Sequence, residues 1–222
     1  MSLWIKICAN TTLADALLAA EAGADAVGFV FASSPRRVTP EQVAEIVSGL
    51  PANLEKIGVF VDTPIDAVAS AVRICRLTGV QLHAGYPLDA PARLKQVCGL
   101  DLRVLRVVHY GPEAAQQAGA YIADPNVDAV LVDSRTATAV GGTGVAFDWA
   151  VAAQTVFANE SARLIAAGGL HPANVAEAIA TMHPWGVDVA SGVESAPGRK
   201  DPEKIRTFVA AARAAPIRVA GH

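Results

Sequence analysis

The sequence has few cysteines, few aromatic residues and no strong charge of either sign. Three of its 222 residues are cysteines, Cys8, Cys75 and Cys98, and no two of them have C-x-x-C spacing. An odd number without that spacing argues against a disulfide framework and a structural zinc site, so we expect free thiols and no metal. Lysine and arginine (18) nearly balance aspartate and glutamate (21), and this net charge of -3 argues against a nucleic-acid partner.

The sequence also lacks a hydrophobic run that could cross a membrane. No stretch approaches the roughly 20 apolar residues that a transmembrane helix needs, and no basic segment followed by a cleavable apolar segment opens the chain. We therefore expect a cytoplasmic protein without a membrane partner. No G-x-G-x-x-G follows the first apolar run, so nothing indicates a dinucleotide cofactor.

Short β-branched apolar runs alternate with longer alanine-rich segments of helical spacing along the whole chain. Hydrophobic residues make up 52% of the chain and charged residues 18%, which is typical of a compact globular protein. The predicted strands are "LWIKIC", "AVGFVF", "EKIGVFV", "GVQLH", "LRVLRVV", "AVLVDS", "RLIAAG" and "GVDVAS".

Capping residues predict where several helices begin. Thr39 is predicted as an N-cap, with Pro40 at the first helical position and Gln42 completing a capping box. The other predicted N-caps are Thr63 before Pro64, Asp148, and Asp201 before Pro202.

Strands that are apolar throughout are buried on both faces, which is typical of a parallel sheet joined by crossover helices. Eight such units, with no linker between them, predict an α/β fold: a (β/α)8 TIM barrel that forms a single domain over residues 1–222. An open doubly wound sheet remains the alternative.

Active sites of such barrels lie at the carboxyl ends of the strands and in the loops that follow. The polar residues at these places are Cys8, Arg36, Arg37, Gln81, His83, Asp133 and Asp188. Each also has a structural interpretation: a cysteine fills a core, and a histidine or aspartate can belong to an internal hydrogen-bond network. Position alone leaves both interpretations open.

Glycine-rich loops predict a phosphate site at the same end of the barrel. Barrel enzymes frequently bind phosphate with the loops after strands seven and eight, where glycines let backbone N–H groups approach an anion. These loops contain Gly168, Gly169, Ser191 and Gly192, and "GGTG" at 141–144 lies in a further flexible loop. A phosphorylated substrate is therefore expected.

A set of segments, in order over nearly the whole chain, carries a resemblance to a known family. They are "KIC", "GADAVGFVF", "SPRRVTPE", "IGVFV", "VQLH", "VLVDS", "GGTGVAFDW", "AAGGLHPANV" and "GVDVASGVESAPGRKD". Together they resemble the phosphoribosylanthranilate isomerases of tryptophan biosynthesis. The resemblance implies a (β/α)8 barrel that performs an Amadori rearrangement, aldose to ketose, on N-(5'-phosphoribosyl)anthranilate without metal or organic cofactor.

The resemblance also implies residue roles. Cys8 corresponds to the general base, Asp133 to the general acid, and Arg36 to the arginine that binds the anthranilate. Acid catalysis by Asp133 requires a carboxyl whose pKa is raised by burial, whereas a free thiol needs little tuning to act as a base. Further substrate contacts are expected from Gln81, His83 and Asp188, and phosphate contacts from Gly142, Thr143, Gly144, Gly168, Gly169, Ser191 and Gly192.

The sequence departs from the family at two places on the expected rim. Ala9 and Asn10 follow Cys8 where the family usually has glycine and an aliphatic residue, and Ala84 replaces the glycine of Q-L-H-G. If the backbone φ is positive there, alanine costs on the order of 1 kcal/mol. Asn10 could donate to the sugar or to the Cys8 thiolate, or close the turn before the next helix.

Two rival interpretations remain beside the isomerase. One is another barrel enzyme acting on a phosphosugar, such as a metal-dependent epimerase or a relative of indole-glycerol-phosphate synthase. The other, motivated by the two alanines, is a non-catalytic relative that binds a phosphorylated ligand. The sequence leaves a monomer or a homodimer open, and also acceptance of the related histidine-pathway substrate, although a single phosphate site argues against a ligand with two phosphates.

Overall fold

A computed structural model describes residues 2–83, 85–134, 148–159 and 161–216. Within them, eight parallel strands form a closed barrel in chain order, with the eighth strand hydrogen-bonded to the first. The strands are β1 (Trp4–Ile7), β2 (Ala26–Val30), β3 (Glu55–Phe60), β4 (Gly79–Leu82), β5 (Arg103–His109), β6 (Ala129–Asp133), β7 (Leu164–Ala167) and β8 (Gly186–Val189).

Helices alternate with the strands and surround the barrel. They are α1 (Leu13–Glu21), α2 (Pro40–Ser48), α3 (Ile65–Cys75), α4 (Ala90–Cys98), α5 (Ala114–Ile122), α6 (Trp149–Gln154), α7 (Val175–Met182) and α8 (Pro202–Ala214). The predicted TIM barrel is thus confirmed. The prediction of one domain over residues 1–222 stays a prediction, because it also concerns residues outside the described ones. None of the described helices is long and apolar enough to span a membrane.

A short hairpin that the sequence did not predict lies between β8 and α8. A 3-10 helix, Ser191–Val193, leads into β9 (Glu194–Ala196), which pairs antiparallel with β10 (Arg199–Lys200). Its two strands contain three and two residues, too few for the apolar alternation by which strands are recognised in a sequence.

Two hydrophobic clusters form the core, one on each face of the barrel wall. The larger cluster lies between the strands and the helices. The smaller one lies inside the barrel and consists of Trp4, Ala26, Ile57, Leu105, Val107, Ala129, Leu131, Ile165 and Ala167. Because side chains alternate along a strand, Lys6 and Cys8 share the inward face of Trp4, and Asp133 shares that of Leu131.

Three of the predicted N-caps form the expected hydrogen bonds. Oγ1 of Thr39 accepts from the backbone N–H of Gln42, whose Oε1 accepts from the Thr39 N–H, which completes a capping box. The Oδ1 atoms of Asp148 and Asp201 each accept from two N–H groups at the starts of α6 and α8. These caps satisfy donors that a helix start leaves unpaired.

The predicted start of α3 is wrong. Thr63 was expected to cap the helix, but the N-cap is Pro64 and the first helical residue is Ile65. The Thr63 N–H donates to the Tyr86 hydroxyl at 3.0 Å, and its Oγ1 donates to the Val61 carbonyl. This tertiary contact holds Thr63 outside the helix, and the local pattern of threonine and proline could not reveal it.

We expect Thr39→Ala to lower the free energy of unfolding by about 1 kcal/mol, because it removes the side-chain half of the capping box. Urea denaturation measures the change. Thr39→Ser keeps the hydroxyl and is the matched control, with an expected loss well below that of alanine. Equal losses in the two variants would contradict the capping role.

Candidate active site

The carboxyl-terminal rim of the barrel collects the residues that the sequence singled out. Cys8 follows β1 directly, and its N–H donates to the Val189 carbonyl of β8 at 2.7 Å. Asp133 is the last residue of β6. Both side chains are almost entirely buried and lie on inward-facing positions of their strands. The rim therefore carries a thiol and a carboxyl that face the same interior.

Gly28 of β2 makes room for the thiol. A Cβ atom at this glycine would lie 2.6 Å from Cys8 Sγ and 3.0 Å from Lys6 Cε. Both atoms therefore occupy the space that a larger residue would need. Only a glycine at this position lets the thiol and the end of the lysine side chain lie together inside the barrel.

A buried ion pair lies directly beneath the thiol. Lys6 is fully buried, and its Nζ donates to Asp188 Oδ1 at 2.7 Å and to Gln81 Oε1 at 2.9 Å. Cys8 is the next residue on the same inward face, and the charge of Lys6 acts on its thiol. Two of the three donors of the ammonium group thus have a hydrogen-bond partner, and one partner is a carboxylate, the condition under which a charge is tolerated away from water. Since β1 and β4 are not neighbours, the contact with Gln81 crosses the barrel.

The charges around Cys8 oppose the effect of its burial. Burial raises the pKa of the thiol above its ordinary value, and Asp188 adds to this. Lys6 and Lys200 act in the opposite direction because each ammonium stabilises the thiolate. The expectation that this thiol needs little tuning stays a prediction, and the raised pKa acts against it. Its protonation depends on the neighbouring cations.

Asp133 lies against the loop that follows β7. A Cβ atom at Gly168 would lie 2.5 Å from Asp133 Oδ1, and Gly168 has a φ of +82°. A side chain there would therefore both collide with the carboxyl group and strain the backbone. This close approach fixes where the Asp133 carboxyl lies relative to the predicted phosphate loop.

Arg36 is held by a carboxylate that the sequence analysis did not include. Its Nε donates to Glu194 Oε1 at 2.8 Å, and its Nη2 donates to Glu194 Oε2 at 2.6 Å. The pair uses one edge of the planar guanidinium group. Among the contacts of the described residues, Glu194 occupies this edge, and the edge that carries Nη1 remains for a second carboxylate.

Lys200 connects this second pair to the thiol. Its buried Nζ donates to the Ala190 carbonyl at 3.0 Å and lies 3.5 Å from Glu194 Oε1. Burial lowers the pKa of Lys200, while Glu194 and Cys8 act against this effect. Burial alone would raise the pKa of Glu194, but Arg36 and Lys200 hold it below its ordinary value. Glu194 and Arg36 therefore both keep their charges near neutral pH.

The predicted phosphate residues follow β7 and β8. Gly168 and Gly169 both have positive φ, and the Asn174 side chain stabilises their loop by donating to the Gly169 carbonyl at 3.0 Å. Ser191 and Gly192 belong to the 3-10 helix after β8. Gly142, Thr143 and Gly144 lie outside the described residues.

Gln81 links the lysine network to His83. Its Oε1 accepts from Lys6, so its Nε2 is the donor in the 3.3 Å contact with His83 Nε2. His83 Nε2 is therefore the acceptor in this contact. The His83 ring also lies 6.0 Å from that of His109, measured between centroids. Ala84, the second departure from the family, lies outside the described residues.

The two departures after Cys8 differ in their consequences. Ala9 has a φ of +63°, so the strain considered from the sequence is present. Asn10 is buried, and its Nδ2 donates to the Ile7 carbonyl at 2.8 Å and to the Gly28 carbonyl at 3.3 Å. Of the three roles considered for Asn10, these contacts correspond to closing the turn. They connect the turn after β1 to β2 and help hold Ala9 in its unusual conformation.

Three charged residues of the site, Lys6, Glu194 and Lys200, were not among the residues predicted from the sequence. Lys6 in the middle of the apolar run "LWIKIC" was the one available signal, because an inward-facing lysine there must find a partner. Glu194 and Lys200 lie in a polar segment that reads as a surface loop, and the hairpin makes them buried. Within the described part of the chain, no group of three or more histidine, cysteine, aspartate or glutamate residues could hold a metal ion.

Comparisons with a family model and with known proteins point to the same enzyme family. A family model described as N-(5'phosphoribosyl)anthranilate (PRA) isomerase matches residues 5–211. A relative from Geobacter sp. (strain M21), named N-(5'-phosphoribosyl)anthranilate isomerase, is 46% identical over 212 residues, which cover 94% of this chain and 97% of the relative.

Solved structures of the same name share the fold. Phosphoribosyl anthranilate isomerase from Thermotoga maritima has a TM-score of 0.84 at 34% identity, covering 95% of this chain and 98% of the other. A second structure, in complex with reduced 1-(o-carboxyphenylamino)-1-deoxyribulose 5-phosphate, has a TM-score of 0.80 at 33% identity with the same coverage. A third concerns mutually generated monomers of the dimeric Thermotoga maritima enzyme, at 30% identity, a TM-score of 0.78 and coverage of 96% and 99%.

We expect Ala9→Gly to raise the free energy of unfolding by about 0.5–1 kcal/mol, because glycine adopts a positive φ without steric cost. Urea denaturation measures the gain. The matched control is Ala210→Gly on the exposed side of α8, where glycine should instead destabilise the protein by a similar amount. A loss of stability in both variants would contradict the assigned strain at Ala9.

Proposed function

This chain belongs to the N-(5'-phosphoribosyl)anthranilate isomerase family, and from this premise we propose how the residues of its rim divide the reaction. The reaction is the isomerisation of N-(5'-phosphoribosyl)anthranilate, an aldose-to-ketose rearrangement of tryptophan biosynthesis. The observation that supports the division most strongly is the placement of a buried thiol and a buried carboxyl on inward-facing positions of one rim.

Asp133 acts as the general acid. Its carboxyl group donates a proton to the ring oxygen of the ribose, the ring opens, and the nitrogen shared with anthranilate becomes part of a cationic Schiff base. Its burial at the end of β6, against Gly168 and on the rim that Cys8 also faces, supports this role.

Cys8 acts as the general base. The cationic Schiff base makes the neighbouring C–H acidic, and the thiolate accepts that proton to give an enolamine, which then tautomerises to the ketose. The thiol stays a base throughout, so no bond forms between sulfur and substrate. The position of Cys8 at the end of β1, facing the same interior as Asp133, supports this role.

The remaining residues hold the two ends of the substrate. Arg36 binds the anthranilate carboxylate through the guanidinium edge that Glu194 does not use. The phosphate is bound by backbone groups around Gly168, Gly169, Ser191 and Gly192, to which we add Gly142, Thr143 and Gly144 from the sequence alone. Gln81, His83 and Asp188 stay predicted substrate contacts. Two of these three, Gln81 and Asp188, already bind Lys6.

We also propose a cytoplasmic protein that works as a monomer or as a homodimer. The dimeric state in the name of one structural relative supports considering the homodimer. Every residue to which we assign a role comes from one copy of the chain, so the proposed chemistry does not require a second copy.

We expect Cys8→Ser and Asp133→Asn each to lower kcat by roughly 100-fold to 10,000-fold while KM changes little, because each removes a proton-transfer group and keeps its size. The loss of the anthranilate fluorescence of the substrate measures turnover. Cys98→Ser and Asp101→Asn are matched controls away from the rim, and both should keep the activity. A wild-type protein without turnover would contradict the function, and a raised KM at unchanged kcat would contradict the two roles.

We expect Arg36→Lys to raise KM by about tenfold or more with a smaller effect on kcat, because lysine cannot bind Glu194 and a substrate carboxylate through two edges of one planar group. Arg37→Lys, at the exposed neighbouring arginine, is the matched control and should leave KM unchanged. Equal effects of the two substitutions would contradict the role of Arg36.

A further inference from the structure

The thiol of Cys8 lies beside a buried ammonium group to which the division of the reaction gives no role. Lys6 is two residues before Cys8 on the same inward face of β1. Its Cε and the Cys8 sulfur lie 3.0 Å and 2.6 Å from one point, the place where a Cβ of Gly28 would be. This geometry puts the end of the lysine side chain and the sulfur side by side.

Two hydrogen bonds from opposite parts of the barrel hold the ammonium group of Lys6. Asp188 of β8 and Gln81 of β4 accept from Nζ at 2.7 and 2.9 Å, from a neighbouring strand and from across the barrel. Burial and these two hydrogen bonds restrict the lysine side chain. The charge beside Cys8 is therefore fixed in place before any substrate arrives, as electrostatic stabilisation in an active site requires.

We propose that Lys6 is the positioning residue of Cys8: its ammonium group stabilises the thiolate and holds the sulfur at the place where it accepts the substrate proton. The inference rests on the proposed role of Cys8 as the base. Lys6 itself acts through Cys8 and does not touch the reacting atoms.

The proton balance of the step is simple. The C–H bond of the Schiff base breaks, its proton moves to the Cys8 sulfur, and the electron pair neutralises the cationic nitrogen. Lys6 keeps its own proton throughout. Although burial lowers the pKa of Lys6, Asp188 and Cys8 outweigh that effect and hold it above its ordinary value, so the ammonium is charged at neutral pH.

Four charged groups act on the sulfur from the elements around it. Lys6 on β1 and Lys200 on β10 favour the thiolate, and Asp188 on β8 disfavours it. Arg36, in the loop after β2, also interacts with the thiolate. Of the three cations, Lys6 lies beside the sulfur on the inward face of β1, whereas Lys200 lies between Ala190 and Glu194 and Arg36 lies on Glu194. The effect of Lys6 should therefore be the largest.

Titration of the thiol tests the proposal without any assay of turnover. The ultraviolet absorbance of the thiolate is followed against pH, and the signal of the same protein with Cys8→Ser is subtracted. We expect Lys6→Met, which keeps the length of the side chain and removes the charge, to reduce the thiolate fraction at about pH 9 at least tenfold. Lys95→Met is the matched control, since Lys95 is a buried lysine whose partner, Asp128, is remote from Cys8. It should leave the titration unchanged.

A second variant changes the same pair in the opposite direction. Asp188→Asn keeps an oxygen that can accept from Lys6 but removes the negative charge, so the titration of Cys8 should move to lower pH by about one unit. Opposite shifts in the two variants support the proposal. Shifts in the same direction, or none, overturn it, because a purely structural role does not depend on the sign of the charge. If Lys6→Met does not fold, the shift in Asp188→Asn decides alone.

The pH profile of kcat/KM separates this proposal from the role of Cys8 on which it rests. If both are right, the acid limb of the profile moves with the thiolate titration in Lys6→Met. If the titration moves and the acid limb does not, the assignment of Cys8 as the base is wrong, while the stabilisation of its thiolate by Lys6 is upheld.

Discussion

The interaction on which the site depends is the ion pair of Lys6 and Asp188 inside the barrel. A buried charge costs several kcal/mol unless it is paired and hydrogen-bonded, and removing one partner of such a pair costs about 3–5 kcal/mol. The pair therefore constrains strands that are distant in sequence: β1 must bring Lys6 to Asp188 of β8 and to Gln81 of β4. Once Lys6 is placed, Cys8 follows two residues later on the same face, at the rim.

A second network repeats this arrangement at the edge of the rim. The hairpin after β8 buries Glu194 and Lys200, and Glu194 in turn orients Arg36. In both networks a carboxylate holds a cation, and both ammonium groups act on the same thiol. The protein thus sets the chemistry of Cys8 with charges that are fixed by the fold, whereas the glycines at 28 and 168 leave the space in which sulfur and carboxyl lie.

The barrel and the strand ends could be predicted from the sequence, because apolar runs and capping residues such as Thr39 and Asp201 act locally. The partners of the buried charges could not. Lys6 and Asp188 are 182 residues apart, and Arg36 and Glu194 are 158 apart, so only the closed barrel brings them together. The start of α3 was mispredicted for the same reason, because the hydroxyl group that binds Thr63 belongs to Tyr86, 23 residues away in the sequence. The positive φ of Ala9 was foreseen as a possibility but depends on the tertiary contacts of Asn10.

The most direct test of the account is a crystal structure of this protein with reduced 1-(o-carboxyphenylamino)-1-deoxyribulose 5-phosphate. We predict Cys8 Sγ within about 3.5 Å of the sugar carbon that loses its proton, with Lys6 still beneath the sulfur. We also predict Asp133 beside the oxygen that leaves the ring, and the carboxylate on the free edge of Arg36. An analogue bound on this rim with its sugar carbon far from Cys8, or with Lys6 turned away from the sulfur, would contradict the central claim.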